Sequence, residues 1–359
     1  MIDYKIGQLF FTGVSGTSLT DQEKKFIEEE DIGGVILFAH NYEDPAQIAE
    51  LCNSIQTLRK EYPLFIGVDQ EGGRVQRFKR QFFVSPAMLE LAKLDSPKAV
   101  FELHCIMAKQ LKACGVNVNF SPVCDIFTNI NNKVIGDRAF GNDQETVSKL
   151  ISAAIRGIHN EGLLACAKHF PGHGNTTKDS HISLPILKTS LETLEERELL
   201  PFVKASRSRT AFMMMAHLTV DCIDPELPTS LSPKAYKLLR DFTRFKGIVI
   251  TDDMEMGAIV ENYSFGEAAS MAINGGADQL IYRSFERCSE VLEECKRLLS
   301  SKEISRNRVN ESIEKILKSK SENLGEYRPV YIPTISESFQ NSSDREQFDS
   351  ILKSLSELK

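Results

Sequence analysis

Between Cys166 and Pro185 the chain reads Cys-Ala-Lys-His-Phe-Pro-Gly-His-Gly-Asn-Thr-Thr-Lys-Asp-Ser-His-Ile-Ser-Leu-Pro, and three of its seven histidines, His169, His173 and His181, fall there. Imidazoles and carboxylates at this density can move protons or hold a metal. An apolar run from Gly162 to Phe170 leads in and Pro171-Gly172 breaks it, so a buried strand ending in a loop is expected. Three readings of the loop stay open. His169, His173 and Asp179 could join Asp252 around a metal ion, although Pro171 and Gly172 prevent the helix that would put residues four apart on one face. Asp179 could instead orient His181 and make it a general acid/base. One or more of these histidines could also be hydrogen-bonded posts of the loop, the reading favoured for His173 between its two glycines.

Two further stretches carry chemistry. In Gly67-Val-Asp69-Gln-Glu-Gly72-Gly73-Arg74-Val-Gln-Arg77-Phe78 an apolar strand stops at a carboxylate, a double glycine permits a tight turn, and two arginines follow. Asp69 could bind a polar ligand, or pair with an arginine on the rim. In Thr251-Asp252-Asp253-Met254 a very apolar strand stops at two adjacent acids, and the alternation of strand side chains lets only one face the solvent end. That carboxylate could be a nucleophile, a base, a metal ligand or a helix cap.

The elements that must position these groups repeat. Continuously apolar runs at 8–14, 33–39, 64–68, 116–123, 163–167, 211–216, 247–251 and 278–282 alternate with helical patterns, and apolar strands between helices imply a parallel sheet covered on both faces. Eight such units predict a single-domain (β/α)8 barrel over 1–325, with catalytic groups just past the strand C-termini. Asp69, Asp125, Lys168, His169, His217 and Asp252 all follow strands in this way. Residues 326–359 form a tail without an assigned role: an extended strap, then Phe348, Ile351, Leu352, Leu355 and Leu358 at helical spacing, expected as a helix docked on the barrel or as an oligomer contact.

Of 359 residues, 42% are hydrophobic and 26% charged, with net charge -7 and no basic stripe, which argues against a nucleic-acid partner. The glycines form neither a dinucleotide fingerprint nor a phosphate loop, so no cofactor is expected. No apolar run is long enough to span a membrane, and the N-terminus lacks a basic segment followed by an apolar one. Eight cysteines without a CxxC pair read as reduced thiols. A soluble, cytoplasmic chain, a monomer by preference, is the expectation.

With these residues assembled, the chain resembles the family 3 glycoside hydrolases, in particular their short, single-barrel β-N-acetylglucosaminidase branch. The resemblance rests on Asp69-Gln-Glu-Gly-Gly-Arg-Val-Gln-Arg77, Phe120-Ser-Pro-Val-Cys-Asp125, Ile135-Gly-Asp-Arg138-Ala-Phe, Lys168-His-Phe-Pro-Gly-His-Gly174, Asp179-Ser-His181, Met215-Ala-His217 and Thr251-Asp-Asp-Met254, in that order. It implies that Asp252 is the nucleophile and that His181, oriented by Asp179, is the general acid and then base. It also implies that Asp69, Arg77, Arg138, Lys168 and His169 bind the terminal sugar, with His217 and Asp125 lining the same pocket in support. The implied reaction is retaining, exo-acting and metal-free removal of N-acetylglucosamine from small glycans of the muropeptide type. No segment fits the second α/β domain that supplies a glutamate acid in larger members. Histidine in place of that acid leaves less negative charge near an incoming anion, so phosphorolysis is an alternative to hydrolysis. A metal-dependent barrel hydrolase and a non-catalytic sugar-binding protein are the readings from other classes.

Overall fold

The structure, a computed structural model, describes residues 3–175 and 184–358. Eight parallel strands close into a barrel: β1 (Phe10–Thr12), β2 (Gly34–Leu37), β3 (Phe65–Val68), β4 (Val118–Asn119), β5 (Leu164–Phe170), β6 (Phe212–Met215), β7 (Ile248–Asp253) and β8 (Gln279–Tyr282). Each pairs with its sequence neighbours, and β8 returns to β1 with Phe10 opposite Leu280. Six fall within the expected apolar runs, and β5 and β7 start within theirs and run on to Phe170 and Asp253. The fold is therefore the expected (β/α)8 barrel, and no helix among the described residues is long and apolar enough to cross a membrane.

Helices cover the strands where their caps start them. Thr20 caps α1 (Asp21–Glu29) in a reciprocal box with Glu23, Asp44 caps α2 (Pro45–Thr57), and Ser96 caps α3 (Pro97–Ala113). Asp143 caps α4 (Gln144–Asn160); each such cap is worth about 1 kcal/mol. The helical stretch between β5 and β6 is interrupted: Leu191–Thr193 is α-helical, Leu194–Glu198 makes a π turn, and α5 runs Leu200–Arg207. Pro201 has no N–H to offer the carbonyl four residues back, which breaks the regular ladder there. Next come α6 (Pro233–Thr243) and α7 (Phe265–Gly275), then α8 (Phe285–Ser300), which the sequence reading passed over. Cys288, Val291, Leu292, Cys295 and Leu299 form its buried face at helical spacing.

Inside the barrel, rings from non-adjacent strands meet across the lumen: Phe11 stacks on Phe65 at 6.1 Å, and Phe65 meets Phe212 edge-on at 5.1 Å. Burying each ring contributes about 1.5–3 kcal/mol. Below them Lys320, from α9 (Arg306–Asn323), closes the N-terminal end of the lumen. Its ammonium lies 5.1 Å from the Phe65 ring and donates to Gln8 Oε1 at 2.7 Å.

The tail straps the outside. Asn53 of α2 exchanges hydrogen bonds with the Val330 backbone, 2.9 Å each way, and a short helix, Ile335–Phe339, sets Phe339 against Phe82 at 4.9 Å. The expected last helix is α10 (Ser342–Ser356). It lies against α3 of the same chain, where Asp344 pairs with Lys109 at 2.7 Å, Phe348 stacks on Phe83 and the Arg345 guanidinium covers the same ring.

Candidate active site

The C-terminal ends of the strands surround a cavity of about 340 Å³. On one side, the strand end at Asp69 runs into a hairpin pairing Gln70–Gly72 with Val75–Gln76; its turn needs Gly72 and Gly73, whose φ angles are 109° and 56°. This hairpin carries Glu71, which the sequence reading did not single out. Asp69 accepts from Arg77 at 3.0 Å and from Lys168 at 2.8 Å. Glu71 takes the Arg138 guanidinium on both oxygens at 2.8 Å and the Lys168 ammonium at 2.6 Å. Lys168 thus lies between two carboxylates and Arg138 on one, a buried alternation of charge. Burial pushes both acids up, but for Asp69 the charges of Lys168 and Arg77, and for Glu71 those of Arg138 and Lys168, outweigh it and hold the carboxyls well below the usual range.

On the β5 side, His169 gives its Nδ1–H to Asp125 at 2.7 Å, since the carboxylate can only accept, and its Nε2 meets the Arg138 guanidinium at 3.4 Å. Asp125 also accepts the His173 backbone N–H at 2.6 Å, while Asn132 donates to the His173 carbonyl at 2.7 Å. Both bonds use the His173 backbone, while its side chain lines the cavity. A side chain at Gly174 would put its Cβ 1.7 Å from the Ile126 carbonyl oxygen, so only glycine lets the loop come down on the Asp125 segment.

At the end of β7, Asp252 accepts its neighbour's backbone N–H on Oδ1 at 2.8 Å, and its Oδ2 has no hydrogen-bond partner among the described residues. Burial pushes the Asp252 carboxyl up, but the nearby imidazoles of His169 and His217 and the Asp253 N–H outweigh it, so it stays below the ordinary carboxylate value. Asp253 lines the cavity as well, against the expectation from strand alternation. The reason is a register shift between Ile250 and Asp253 against β8, which breaks the strict two-residue period. Burial pushes Asp253 up to about 7, beside two such different neighbours as ionised Asp252 and an Arg283 guanidinium 3.5 Å away.

Among the expected sugar-binding residues, Asp69, Arg77, Arg138, Lys168 and His169 line the cavity with Asp252. Asp125 and His217 do not, which corrects their expected place. Asp125 is fully buried behind His169, and His217 lies behind β7, bonded to Ser230 at 2.7 Å and to the Asp253 carbonyl at 3.0 Å. Each holds a wall residue instead of being one. Asp179 and His181 lie outside the described residues. No group of three or more histidines, cysteines, aspartates or glutamates is arranged to hold a metal ion among the described residues.

Residues 1–319 match the Glycosyl hydrolase family 3 N terminal domain. A β-hexosaminidase of Nitrosomonas eutropha is 38% identical over 275 residues, 75% of this chain and 78% of that protein. One from Pseudomonas aeruginosa is 37% identical over 271 residues, 74% and 79% of the two chains. Among solved structures, a glycoside hydrolase family 3 β-N-acetylglucosaminidase from a Paenibacillus species superposes with a TM-score of 0.91 at 33% identity, covering 98% of this chain and 68% of that one.

Proposed function

The chain belongs to glycosyl hydrolase family 3 and has that family's β-hexosaminidase activity, and on this premise we propose that it is an exo-acting, retaining β-N-acetylglucosaminidase with Asp252 as its nucleophile. The observation that carries this reading is the ionised Asp252, its Oδ2 without a hydrogen-bond partner among the described residues, in one small cavity with the Asp69–Lys168–Glu71–Arg138 array. Alternating donors and acceptors suit sugar hydroxyls, which do both. A cavity at the lower end of the small-molecule range suits one terminal sugar better than an internal stretch of chain.

The Asp252 carboxylate attacks the anomeric carbon while the bond to the aglycone oxygen breaks. The resemblance gives His181, oriented by Asp179, the proton donated to that oxygen. The resulting glycosyl-enzyme is opened by water, which gives its proton to His181 as it attacks, and the anomeric configuration is retained over two inversions. Held by Asp125 in one tautomer, His169 keeps Nε2 facing the sugar side of the cavity. The substrate we propose is a terminal N-acetylglucosamine on soluble muropeptide fragments, cleaved in the cytoplasm. All eight cysteines stand as free thiols, in keeping with a reducing compartment.

Proton NMR of the first-formed product from a p-nitrophenyl β-N-acetylglucosaminide is the test. The β-anomer of free N-acetylglucosamine is expected; the α-anomer overturns the two-step reading. The same run in phosphate buffer reports phosphorolysis, as the appearance of a sugar phosphate.

A further inference from the structure

The N-terminal end of the barrel holds a second cavity, of about 560 Å³, well within the range of small-molecule sites. It lies under the starts of three neighbouring strands, β5, β6 and β7, whose Leu163, Leu164, Ala211, Gly247 and Ile248 form an apolar ceiling. The last turns of α4 and α9 wall it. Four cations reach it from three segments, Arg209, Lys246, and Lys315 with Lys318 on α9, against one carboxylate, Glu322.

The existing partners do not use up that charge. Lys318 has Glu322 at 3.8 Å and sits in the last turns of α9, where a cation suits the helix dipole. Lys315 bonds both oxygens of buried Asp278, at 2.8 and 2.9 Å, but Asp278 already holds Arg240 and Arg308, so three cations share one carboxylate. Arg209 and Lys246, on the loops before β6 and β7, have no ion-pair partner among the described residues. The ring of His159 accepts from the Ala165 N–H at 3.4 Å, and burial lowers its pKa, so it adds shape without charge at neutral pH. A cluster of solvent-reaching cations beside an apolar ceiling matches a polyvalent anion: the Arg209 fork can take two oxygens while lysines neutralise the remainder.

We propose that this cavity binds a phosphate-bearing small molecule, gripped by Arg209 and Lys246 with Lys315 and Lys318 supplying further charge. It opens at the opposite end of the barrel from the sugar cavity, so the two ligands do not compete, and the proposal stands apart from the catalytic reading.

The test is isothermal titration of the full chain with pyrophosphate and with inorganic phosphate. Ionic strength is held constant and N-acetylglucosamine is present to fill the catalytic mouth. Saturable binding is expected, and Arg209→Gln/Lys246→Gln should weaken it about tenfold or more through the loss of charge-assisted contacts. Both positions are on surface loops, so the unfolding midpoint of the double variant should match that of the parent, and the single variants should each lose part of the affinity. No saturable binding by the parent, affinity no greater than for acetate at the same ionic strength, or undiminished binding by the double variant overturns the proposal.

Discussion

The two ends of this barrel are built from the same materials and do opposite things. At the C-terminal mouth, Asp69 and Glu71 flank Lys168, Arg138 completes the array, and the nearby Asp252 has one oxygen in the cavity without a hydrogen-bond partner among the described residues. At the N-terminal end, Asp278 takes Arg240, Arg308 and Lys315, together with the Val249 N–H, and has no exposure at all. Both clusters bury charge, so burial alone does not make a site. What distinguishes the mouth is an acid left partly free where a ligand can reach it; Asp278, saturated, pins α6 and α9 to the strands.

The sharpest way to break this comparison is to remove each acid in turn. Asp252→Ala should cost about 10⁴-fold in kcat without lowering the unfolding midpoint, since it deletes a buried charge. Steady-state kinetics beside calorimetry would expose a structural role if both fell together. Next in size, Asp278→Asn leaves three cations facing a neutral amide and should cost about 3–5 kcal/mol of stability, read by urea unfolding, with turnover per folded molecule unchanged. A loss of turnover without loss of stability would erase the distinction. Glu71→Gln is smaller again, because it frees Arg138 and Lys168 from the carboxylate that places them without removing an acid left open to the ligand. It should lower kcat/KM about 10²-fold through misplacement, and restoration by Glu71→Asp of a larger share of KM than of kcat would mark it as a binding group.

The smallest effects are slopes, and they run in opposite directions at the two ends. Burial raises Asp253 at the mouth from 3.8 to about 7, so between those values the folded state binds the extra proton and stability falls as pH rises. Burial lowers Lys320 at the base from 10.5 to about 7; there the unfolded state binds the extra proton and stability climbs with pH. Each slope is at most about 1.4 kcal/mol per pH unit. Asp253→Asn should flatten the first window and Lys320→Met the second, measured as unfolding free energy against pH.

Most of the barrel was legible because each strand is a short apolar run bounded by turn residues, and because Thr20, Asp44 and Asp143 stand where helices begin. Helix α8 was missed although its signal is present, diluted by charged residues between its apolar positions. Glu71 was not legible: its partner Arg138 lies 67 residues away, and local pattern carries no information about a pairing at that range. Nor was the second acid at the mouth, since the register slip at Ile250 is decided by pairing with β8 and not by β7 itself. Asp125 and His217 were right about neighbourhood and wrong about depth. Spacing identifies a strand end, but it does not say whether a side chain faces the ligand or stands behind the residue that does.

The strap has a consequence for the order of synthesis. Phe339 and Phe348 rest on Phe82 and Phe83, a few residues beyond Arg77, and Phe82 meets Tyr42 edge-on and Phe78 at a tilt. The arm that reaches Asp69 is therefore braced by a segment that follows the whole barrel in sequence. Domains emerge and fold from the N-terminus, yet here an early-made wall of the cavity receives its final support only from residues made after the barrel, so a chain terminated within the strap would hold a complete barrel and an unbraced arm.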